Sequence, residues 1–431
     1  MQYYSLQHQA PNVSFKEAVL KGQAPDKGLY FPTELPKLPA DFIKNLATIS
    51  KEEVGYTVMR PYVGEDMTDQ ELKRIVAETV NFDFPLVKIN DQIASLELFH
   101  GPTYAFKDVG ARFMSRCLGH FHKNENKKTT ILVATSGDTG GAVANGFLGV
   151  EGVEVIILYP SGKVSPIQEL QLTTCGKNIT ALEIEGSFDD CQAIVKQAFM
   201  DQDLKEAYQL TSANSINVGR WLPQQLYYFY GLQQWQQQQP PVICVPSGNF
   251  GNICAGILAH ISGLPVQHFI AACNVNDTVP VFMQTGNYQP KASTPTISNA
   301  MDVGNPSNFG RILEIFGGEA EKLKTRFSSV SITDDQTKAT IKEVYGGTGY
   351  LLDPHGAVAY RALADYQQQN PSQKGFILET AHPVKFPDVI ESLLDIQIPL
   401  PEGATALNSQ DKVSVKLAAD FDSVKNWLLG R

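Results

Sequence analysis

Lys107 has the clearest chemical potential in the sequence, because it lies in the apolar and aromatic segment FHGPTYAFKDVG at residues 99–110. Removal from water disfavours the charged ammonium and lowers the pKa of a lysine, which makes its amine a better nucleophile. Such an amine is what Schiff-base chemistry with an aldehyde cofactor requires. The alternative is a surface lysine at the start of a helix, and the segment by itself favours that alternative.

Two glycine-rich segments, SGDTG at residues 136–140 and SGNFGN at residues 247–252, each follow an apolar strand-like run and precede a helix-like one. A turn of this kind exposes backbone N–H groups at a helix N-terminus, where the helix dipole also favours an anion. Glycines let the backbone curl closely around a phosphate. SGNFGN matches neither the dinucleotide-binding GxGxxG spacing nor the Walker loop. Phosphate binding and an ordinary strand-to-helix turn therefore both stay open for it.

Two further polar segments carry candidate ligand contacts. TSANSINVGR at residues 211–220 places small hydroxyl and amide side chains ahead of Arg220, a combination that suits an oxyanion such as phosphate. The alternative for this segment is a helix start that is capped by Ser215 or Asn217. Thr380 follows the strand-like run GFIL, and the carboxyl ends of parallel strands are where open α/β sheets place ligand contacts. His382 invites a general-base role, although a single histidine before a proline is more often structural.

From about residue 130 the chain alternates short apolar runs with helix-like stretches, which predicts parallel sheets covered on both faces by helices. The predicted strands are residues 130–134, 153–159, 179–184, 242–245, 267–272 and 375–378, and apolar spacing predicts a helix over residues 189–204. The first ninety or so residues differ. They hold scattered aromatics, prolines and an acidic helix-like stretch at residues 69–82, and we interpret them as a separate α-rich region.

Composition restricts the classes of partner and compartment. The 431 residues contain 35 Lys plus Arg against 45 Asp plus Glu, so the formal charge is −10 and binding to nucleic acid or to an anionic membrane is not expected. No run reaches the roughly 18 apolar residues that span a bilayer, and the start lacks the pattern of a secretory signal. The six cysteines show no CxxC spacing, and Cys244, Cys254 and Cys273 are predicted to be buried free thiols. We therefore expect a cytoplasmic protein, and the histidine spacing offers no metal site.

In series, the motifs of this chain resemble those of threonine synthase, in the longer form of that family with an extra N-terminal region. The resemblance covers nearly the whole chain to about residue 390. It rests on FHGPTYAFKDVG, TSGDTG, LYPSGKVSPIQ, SANSINVGR, VPSGNFG, NVNDTVP, SNAMDV, LDPHGAVAY and TAHPVKF. Any one of these motifs is a weak signal, whereas the whole series is highly specific.

The resemblance implies a pyridoxal-phosphate enzyme with the tryptophan-synthase-β type of fold. This is an α/β fold of two domains with mainly parallel sheets flanked by helices, here preceded by the α-rich N-terminal region. In this family the lysine of the FKD segment, Lys107, forms the Schiff base with the cofactor, and the hydroxyl of Thr380 meets the pyridine nitrogen. Asp138 stands where many relatives place an asparagine facing the ring hydroxyl, so its role stays open. The cofactor phosphate is assigned to Gly248, Asn249, Phe250, Gly251 and Asn252.

The implied reaction converts O-phospho-L-homoserine and water to L-threonine and phosphate, with Lys107 as general base once the substrate amine has displaced it. The substrate has two anionic ends, and we assign them to different segments. The carboxylate is assigned to Thr135, Ser136 and Thr139, and the phosphate to Asn214, Ser215 and Arg220, with Lys163 as a weaker candidate.

The expected organisation is an N-terminal region over residues 1–92, an α/β domain with Lys107 over 93–215, a larger α/β domain with the glycine loop over 216–400, and a tail over 401–431. We expect a monomer, because the extra N-terminal region would cover surfaces that shorter relatives bury in a dimer. Three other functions are alternatives. They are a deaminating dehydratase or O-acetylserine-type enzyme of the same fold, a catalytically inactive phosphoester-binding protein, and a nucleotide-binding regulator.

Overall fold

The computed structural model describes residues 1–123, 128–407 and 409–431, which form two mainly parallel sheets, their covering helices and a small N-terminal sheet. This agrees with the α/β class predicted from the sequence. Cys244, Cys254 and Cys273 are buried free thiols, as predicted. Among the described residues, no helix combines the length and the apolar character needed to cross a bilayer.

The N-terminal region contains short strands as well as the predicted helices. Thr68 caps the acidic helix by accepting a hydrogen bond from the Glu71 N–H, and this helix ends at Thr79, earlier than expected. The antiparallel sheet β2-β1-β3 was not predicted, because strands of two to four residues are too short for a periodic pattern. The elements are β1 (Gln2–Ser5), β2 (Val13–Ser14), α1 (Phe15–Lys21), β3 (Tyr30–Pro32), α2 (Ala40–Lys44), α3 (Lys51–Val63) and α4 (Asp69–Thr79).

The next stretch of chain supplies most of the smaller parallel sheet. Its core strands are buried along their length, as expected for strands that are covered on both faces. The elements are β4 (Leu86–Lys88), β5 (Ile93–Glu97), α5 (Lys107–His122), β6 (Thr129–Ala134), α6 (Asp138–Phe147), β7 (Val153–Pro160), α7 (Pro166–Thr173), β8 (Ile179–Glu185), α8 (Phe188–Ala198), α9 (Gln202–Ala207) and β9 (Gln209–Thr211).

The remaining chain builds the larger sheet and then returns to the smaller one. The elements are α10 (Val218–Trp221), α11 (Gln225–Gln234), β10 (Val242–Pro246), α12 (Gly251–Ile261), β11 (His268–Cys273), α13 (Thr278–Thr285), α14 (Phe309–Ile315), α15 (Ala320–Lys324), β12 (Phe327–Ser331), α16 (Asp334–Thr348), α17 (Pro354–Gln369), β13 (Gly375–Glu379), α18 (Pro387–Leu394), α19 (Glu402–Leu407), β14 (Val415–Ala418) and α20 (Phe421–Leu429). Short 3-10 helices include Asn299–Met301 and Pro383–Lys385.

The strand orders differ from the expected division of the chain. The larger sheet runs β12-β11-β10-β13-β5-β4, parallel except for the pairing of β4 with β5, and the smaller runs β14-β8-β7-β6-β9, all parallel. Thus β5, expected in the middle domain, pairs with β13, and β14, expected in a tail, is an edge strand of the smaller sheet. These pairings join distant segments, so local sequence patterns do not reveal them. The helix predicted over 189–204 is also two helices, α8 and α9, because Asp201 caps the second.

The carboxyl ends of three buried strands lead directly into the predicted site segments. β6 ends at Ala134 before the SGDTG turn, and β10 ends at Pro246 before the SGNFGN turn. β13 ends at Glu379, immediately before Thr380. Since parallel strands point the same way, each sheet delivers its turns at one edge, where ligand contacts are expected.

Candidate active site

Lys107 and Thr380 are held next to each other by backbone pairing, although they are far apart in sequence. The N–H of Phe106 donates to the carbonyl of Thr380 at 2.9 Å, and the N–H of His382 donates to the carbonyl of Tyr104 at 3.0 Å. Ala105 and Ala381 form an antiparallel bridge between these two contacts. The short ladder fixes the start of α5, and with it Lys107, beside the segment that carries the Thr380 hydroxyl.

Lys107 is part-buried, and its Nζ lies 5.9 Å from the centre of the Phe106 ring. Burial lowers the pKa of Lys107 to about 8; the Asp138 carboxylate acts in the opposite direction, and the cations of Lys385 and Arg220 add to the lowering. The amine makes no hydrogen bond or ion pair with any residue that the structure describes. A substantial neutral fraction near pH 8 is the condition for nucleophilic attack, in the direction expected from the sequence.

Asp138 begins α6 and faces the same space as Lys107. Its Oδ1 lies 2.7 Å from Lys385 Nζ and accepts a hydrogen bond from Gln168 Nε2 at 2.9 Å. Burial alone would raise the pKa of Asp138, but the ammonium groups of Lys385 and Lys107 hold it well below its usual range. The residue before it must be glycine, because Gly137 has φ of 132° and a Cβ there would lie 2.3 Å from the Gln168 side chain. Asp138 is therefore a buried, ionised carboxylate.

Lys385 is a site residue that the sequence interpretation missed. Its side chain is fully buried, and its ammonium forms the ion pair with Asp138 described above. The residue lies on the 3-10 helix Pro383–Lys385, which follows Thr380 within the TAHPVKF motif. The available signal was a lysine within the TAHPVKF motif itself, five residues after Thr380.

The SGNFGN turn has the form of an anion cradle. None of the backbone N–H groups of residues 248–252 donates a hydrogen bond to any described residue, and the last two of them open α12. The backbone of this turn is sterically restricted. A Cβ on Gly248 would lie 2.7 Å from Met301 Cα, and Phe250 adopts the left-handed conformation with φ of 62°. Free donors at the positive end of an 11-residue helix suit a phosphate group.

The side chains of this turn have structural partners of their own. Asn249 donates to the hydroxyl of Ser215 at 2.8 Å and accepts from the backbone N–H of Ser307 at 2.7 Å. Asn252 donates to the carbonyl of Pro246 at 2.8 Å. The predicted contribution of residues 248–252 to anion binding is therefore available from the backbone, while these two amides hold the turn in shape.

Within residues 211–220, the predicted ligand contacts separate into different places. Asn217 is the helix cap, since its side chain accepts from the Gly219 N–H at 2.9 Å, which confirms one of the two capping alternatives. Ser215 lies against the glycine turn, where its hydroxyl also accepts from Asn308 at 3.1 Å. The Asn214 side chain is part-buried and makes no hydrogen bond within the described part of the chain.

Arg220 lies beside α5, one turn beyond Lys107. Its Nη1 donates to the carbonyl of Ala213, while its Nε is buried without an acceptor among the described residues. A Cβ on Gly110 would lie 2.5 Å from the Arg220 carbonyl oxygen and 3.2 Å from that Nε, so glycine at this position lets the backbone of Arg220 approach α5 closely. Burial lowers the pKa of Arg220 to about 10, so it is still a cation at neutral pH. An unpaired buried cationic donor is costly, and an anionic ligand would satisfy it.

The remaining predicted substrate contacts differ in burial and in hydrogen bonding. The Thr135 hydroxyl is buried and accepts from the N–H groups of Gly137 and Gly140 at 2.9 and 2.8 Å, so it shapes the turn. Ser136 and Thr139 are part-buried, and no described residue hydrogen-bonds to their hydroxyls. Lys163 is exposed and its charge acts on Asp190, so the structure does not bring it together with Arg220.

Two buried networks behind the site were also missed. Arg311 donates to the carbonyls of Ser215, Tyr30 and Ile216 at 3.0, 3.0 and 2.6 Å, and so fixes the polar loop against the N-terminal region. Glu379, next to Thr380, accepts from the Asp353 N–H at 2.7 Å, and burial raises the pKa of Glu379 well above its usual range. Both are long-range contacts that the local sequence does not indicate.

Together these features fit an aldehyde-bearing aromatic phosphate better than a metal ion. The site offers a lysine amine of lowered pKa, an anion cradle of free N–H groups and, at Thr380, a hydroxyl without a hydrogen-bond partner among the described residues. Within the same part of the chain, no group of three or more His, Cys, Asp or Glu side chains could hold a metal. The donor set is thus that of a pyridoxal-phosphate site.

Comparison with known proteins gives family matches along the whole chain. A model described as pyridoxal-phosphate dependent enzyme matches residues 85–378, one described as threonine synthase N terminus matches residues 2–80, and one described as threonine synthase, C-terminal, matches residues 356–428. Threonine synthase of Serratia marcescens is 43% identical over 100% of this chain and 99% of the relative.

Solved structures agree with these matches. The crystal structure of threonine synthase from Escherichia coli is similar with a TM-score of 0.92 and 42% identity over 100% of both chains. The structure of pyridoxal-phosphate-bound threonine synthase from Brucella melitensis is similar with a TM-score of 0.93 and 35% identity over 99% of this chain and 98% of that chain.

Proposed function

The chain belongs to the threonine synthase family of pyridoxal-phosphate-dependent enzymes, and from that premise we propose that it converts O-phospho-L-homoserine and water to L-threonine and phosphate. The observation that carries this proposal is that the Lys107 amine has a pKa lowered to about 8 and lies within the electrostatic influence of the buried Arg220 cation. It is supported by the turn of free backbone N–H groups at the start of α12. The reaction would be a phosphate-eliminating lyase reaction and the last step of threonine biosynthesis.

For the cofactor, the proposal assigns one group of the site to each part of the molecule. The backbone N–H groups of residues 248–252 hold its phosphate, Lys107 bonds to its aldehyde carbon, and the Thr380 hydroxyl meets its ring nitrogen. When bound, pyridoxal phosphate supplies the electron sink that stabilises negative charge on the substrate carbons. Asp138 and Lys385 complete the polar wall around Lys107.

Substrate binding is assigned to groups with unused hydrogen-bonding capacity. The hydroxyls of Ser136 and Thr139 receive the substrate carboxylate, within the turn that Thr135 shapes. Arg220 and Asn214 receive the substrate phosphate, because both side chains keep donors that no described residue accepts. Ser215 supports this position through its hydrogen bond from Asn249 of the glycine turn, and Lys163 is left out of the proposal because its side chain is exposed.

Proton transfer is assigned to Lys107. Once displaced by the substrate amine, a lysine with a pKa of about 8 is partly neutral at physiological pH, and it takes a proton from Cα and, after releasing it, a proton from Cβ. Two protons are given back to the substrate carbons, one to Cγ after phosphate has left and one to Cα after water has added. Arg220, cationic throughout this range, stabilises the leaving phosphate. A water then adds at Cβ, so the hydroxyl of the product comes from solvent.

The assembly and location of the protein are also proposed, as a monomer in the cytoplasm. The support is that the N-terminal region packs onto the catalytic body, for example through the Asn217 side chain, which donates to the Val19 carbonyl at 2.8 Å. Sedimentation of the purified protein tests the oligomeric state directly, since a stable dimer would overturn this part of the proposal.

The reaction is tested by following phosphate and threonine together from O-phospho-L-homoserine. Equal amounts of both products are expected, and borohydride reduction should attach the cofactor to the peptide containing Lys107. Lys107→Ala should abolish turnover. Formation of ammonia and a keto acid from threonine, without phosphate release from phosphohomoserine, would instead support a dehydratase and overturn the proposal.

A further inference from the structure

The buried ion pair between Lys385 and Asp138 has no evident structural necessity. Both side chains are almost completely removed from water, and burying two charges costs several kcal/mol that an apolar pair of similar size would not cost. Asp138 Oδ1 is the only hydrogen-bond partner of the Lys385 ammonium among the described residues, although an ammonium has three donors. A pair kept at this cost beside Lys107 points to a role in the chemistry of the site.

The charged and titratable groups around this pair come from several elements. Asp138, Arg220 and Lys385 act on Lys107, and the charge of Lys385 acts in turn on Asp138, Asp108 and His382. Asp108 is turned away, because its carboxylate accepts from the backbone N–H and the hydroxyl of Thr103 at 2.9 and 2.5 Å. Burial lowers the pKa of His382 to about 4, so His382 is neutral near pH 7. Asp138 is therefore the ionised carboxylate that the two lysines share.

We propose that Lys385 is a positioning residue that holds the Asp138 carboxylate in an ion pair and so leaves the Lys107 amine free for covalent chemistry. The cations that act on Asp138 are Lys385 and Lys107, and only Lys385 is hydrogen-bonded to it. Without Lys385, the buried carboxylate would keep the Gln168 amide as a hydrogen-bond donor, but Lys107 would be the remaining cation that acts on it, and a buried carboxylate requires a cation. The inference rests on the proposed function, because it takes Lys107 to be the reactive amine.

The two members of the pair should shift the titration of the Lys107 nitrogen in opposite directions. Lys385→Met removes a neighbouring positive charge and releases Asp138 to Lys107, so the protonated form of that nitrogen is favoured and its pKa rises. Asp138→Asn removes the negative charge and leaves Lys385 in place, so the pKa falls. A change of about 1 pH unit or more is expected in each case, as for a charge within a few ångströms. The double variant should titrate between the two single variants.

The experiment is a spectroscopic pH titration of the holoenzyme, in which the absorbance of the bound cofactor reports the protonation of the nitrogen contributed by Lys107. A transition can lie outside the pH range in which the protein is stable. In that case pyridoxal phosphate is removed and its covalent rebinding is measured as a function of pH. The variants should then rank in the same order of Lys107 pKa. Lys425→Met is the control for the loss of a lysine–aspartate pair, because Lys425 of α20 pairs with Asp201 at 2.7 Å and with Asp203 at 2.6 Å in a partly exposed position. It should leave the transition in place.

A loosened site would let water reach Lys107 and would raise the pKa in both variants, so a rise in Asp138→Asn overturns the inference. An unmoved transition in Lys385→Met overturns it as well. Lys385→Arg, which keeps the charge, should restore most of the parent transition, and failure to do so in a folded protein also counts against the role. If the parent protein converts phosphohomoserine while these shifts fail, the role of Lys385 is wrong and the proposed function stands. If borohydride finds no cofactor on Lys107, the proposed function fails first.

Discussion

Arg220 shows how a single residue can carry the specificity of the site. It is a buried cation whose Nε has no acceptor in the part of the chain that the structure describes. Arg220 lies against Gly110 of α5, which is one helical turn after Lys107. A neutral-substrate enzyme would have little use for such a group, because an unpaired charged donor in the interior is destabilising. At the residue scale, one prediction concerns the charge of Arg220 and a second concerns the protonation of the buried Lys107 amine.

Arg220→Ala should reduce kcat/KM for O-phospho-L-homoserine by about 2–5 kcal/mol of transition-state free energy, which is roughly 30-fold to several thousand-fold. The reason is the loss of a buried, charge-assisted contact to the substrate phosphate. Steady-state kinetics measure it, and the exposed Arg326→Ala variant is the control that should retain parental kinetics. Near-parental kinetics in Arg220→Ala would remove Arg220 from the site.

The pH dependence of kcat should follow the ionisation of the Lys107 amine. Because burial lowers the pKa of Lys107 to about 8, the neutral base is present above that pH and is lost as pH falls through it. We therefore expect kcat to rise with pH through an inflection near 8, measured in saturating substrate, where kcat reports groups of the enzyme–substrate complex. A kcat that falls with rising pH over the same interval would contradict the assignment of Lys107 as the base.

At the scale of elements, the site is made by turns at strand ends, and backbone shape matters there more than side-chain identity. The SGNFGN turn offers N–H groups, while the Asn249 and Asn252 amides and the contact of Gly248 with Met301 fix its course. α10 is only four residues long, yet its Asn217 cap and the contacts of Arg311 hold the polar loop in one place. Small changes in packing should therefore act on ligand binding.

Gly248→Ala should weaken the binding of pyridoxal phosphate, because the new Cβ would lie 2.7 Å from backbone atom Met301 Cα and would displace the turn. Overpacking of this kind costs about 1–3 kcal/mol, which corresponds to roughly a 5- to 150-fold higher dissociation constant. Equilibrium titration with the cofactor measures it. Gly346→Ala in α16 is the matched control, since a Cβ there meets no atom within 4 Å and should not alter cofactor affinity. Equal affinities in the two variants would contradict this account of the turn.

At the scale of the whole molecule, the chain crosses between its two parallel sheets more often than a simple division predicts. β5 precedes Lys107 but belongs to the larger sheet, and β14 near the C-terminus completes the smaller one beside β8. The net charge of −10 contributes little to recognition of an anionic substrate, because Debye screening limits its reach to about 8 Å at physiological salt. The proposed function assigns that role to short-range donors such as Arg220 and the free N–H groups.

The C-terminal segment should be part of the stable fold. Leu428 of α20 is 1% exposed, whereas its neighbour Leu429 is 44% exposed. Leu428→Ala should lower the free energy of unfolding by about 2–5 kcal/mol through loss of buried apolar contacts and the cavity left behind. Leu429→Ala should change it by no more than about 0.5 kcal/mol. Urea denaturation of both variants measures the difference, and similar stabilities would mean that α20 is not docked in solution.

The sequence by itself determined the α/β class, the strands at 130–134, 153–159 and 242–245, and the segments that carry Lys107, the glycine turn and Thr380. These features depend on local periodicity and on residue type, which a linear sequence records directly. For Lys107 the segment by itself favoured a surface lysine, and the lowered pKa was the alternative that the family resemblance supported and that burial in the structure produces.

Only the tertiary structure decided which of those segments meet and what their side chains do there. It paired Phe106 with Thr380 and buried Lys385 against Asp138. It also placed Ser215 within hydrogen-bond distance of Asn249 in the glycine turn. The charge of Lys163 acts on Asp190. The tertiary structure also placed β5 and β14 in sheets that their sequence positions did not indicate. The physical reason is that ion pairs, strand order and burial join residues distant in sequence, and their free energy depends on a shared geometry that no local pattern specifies.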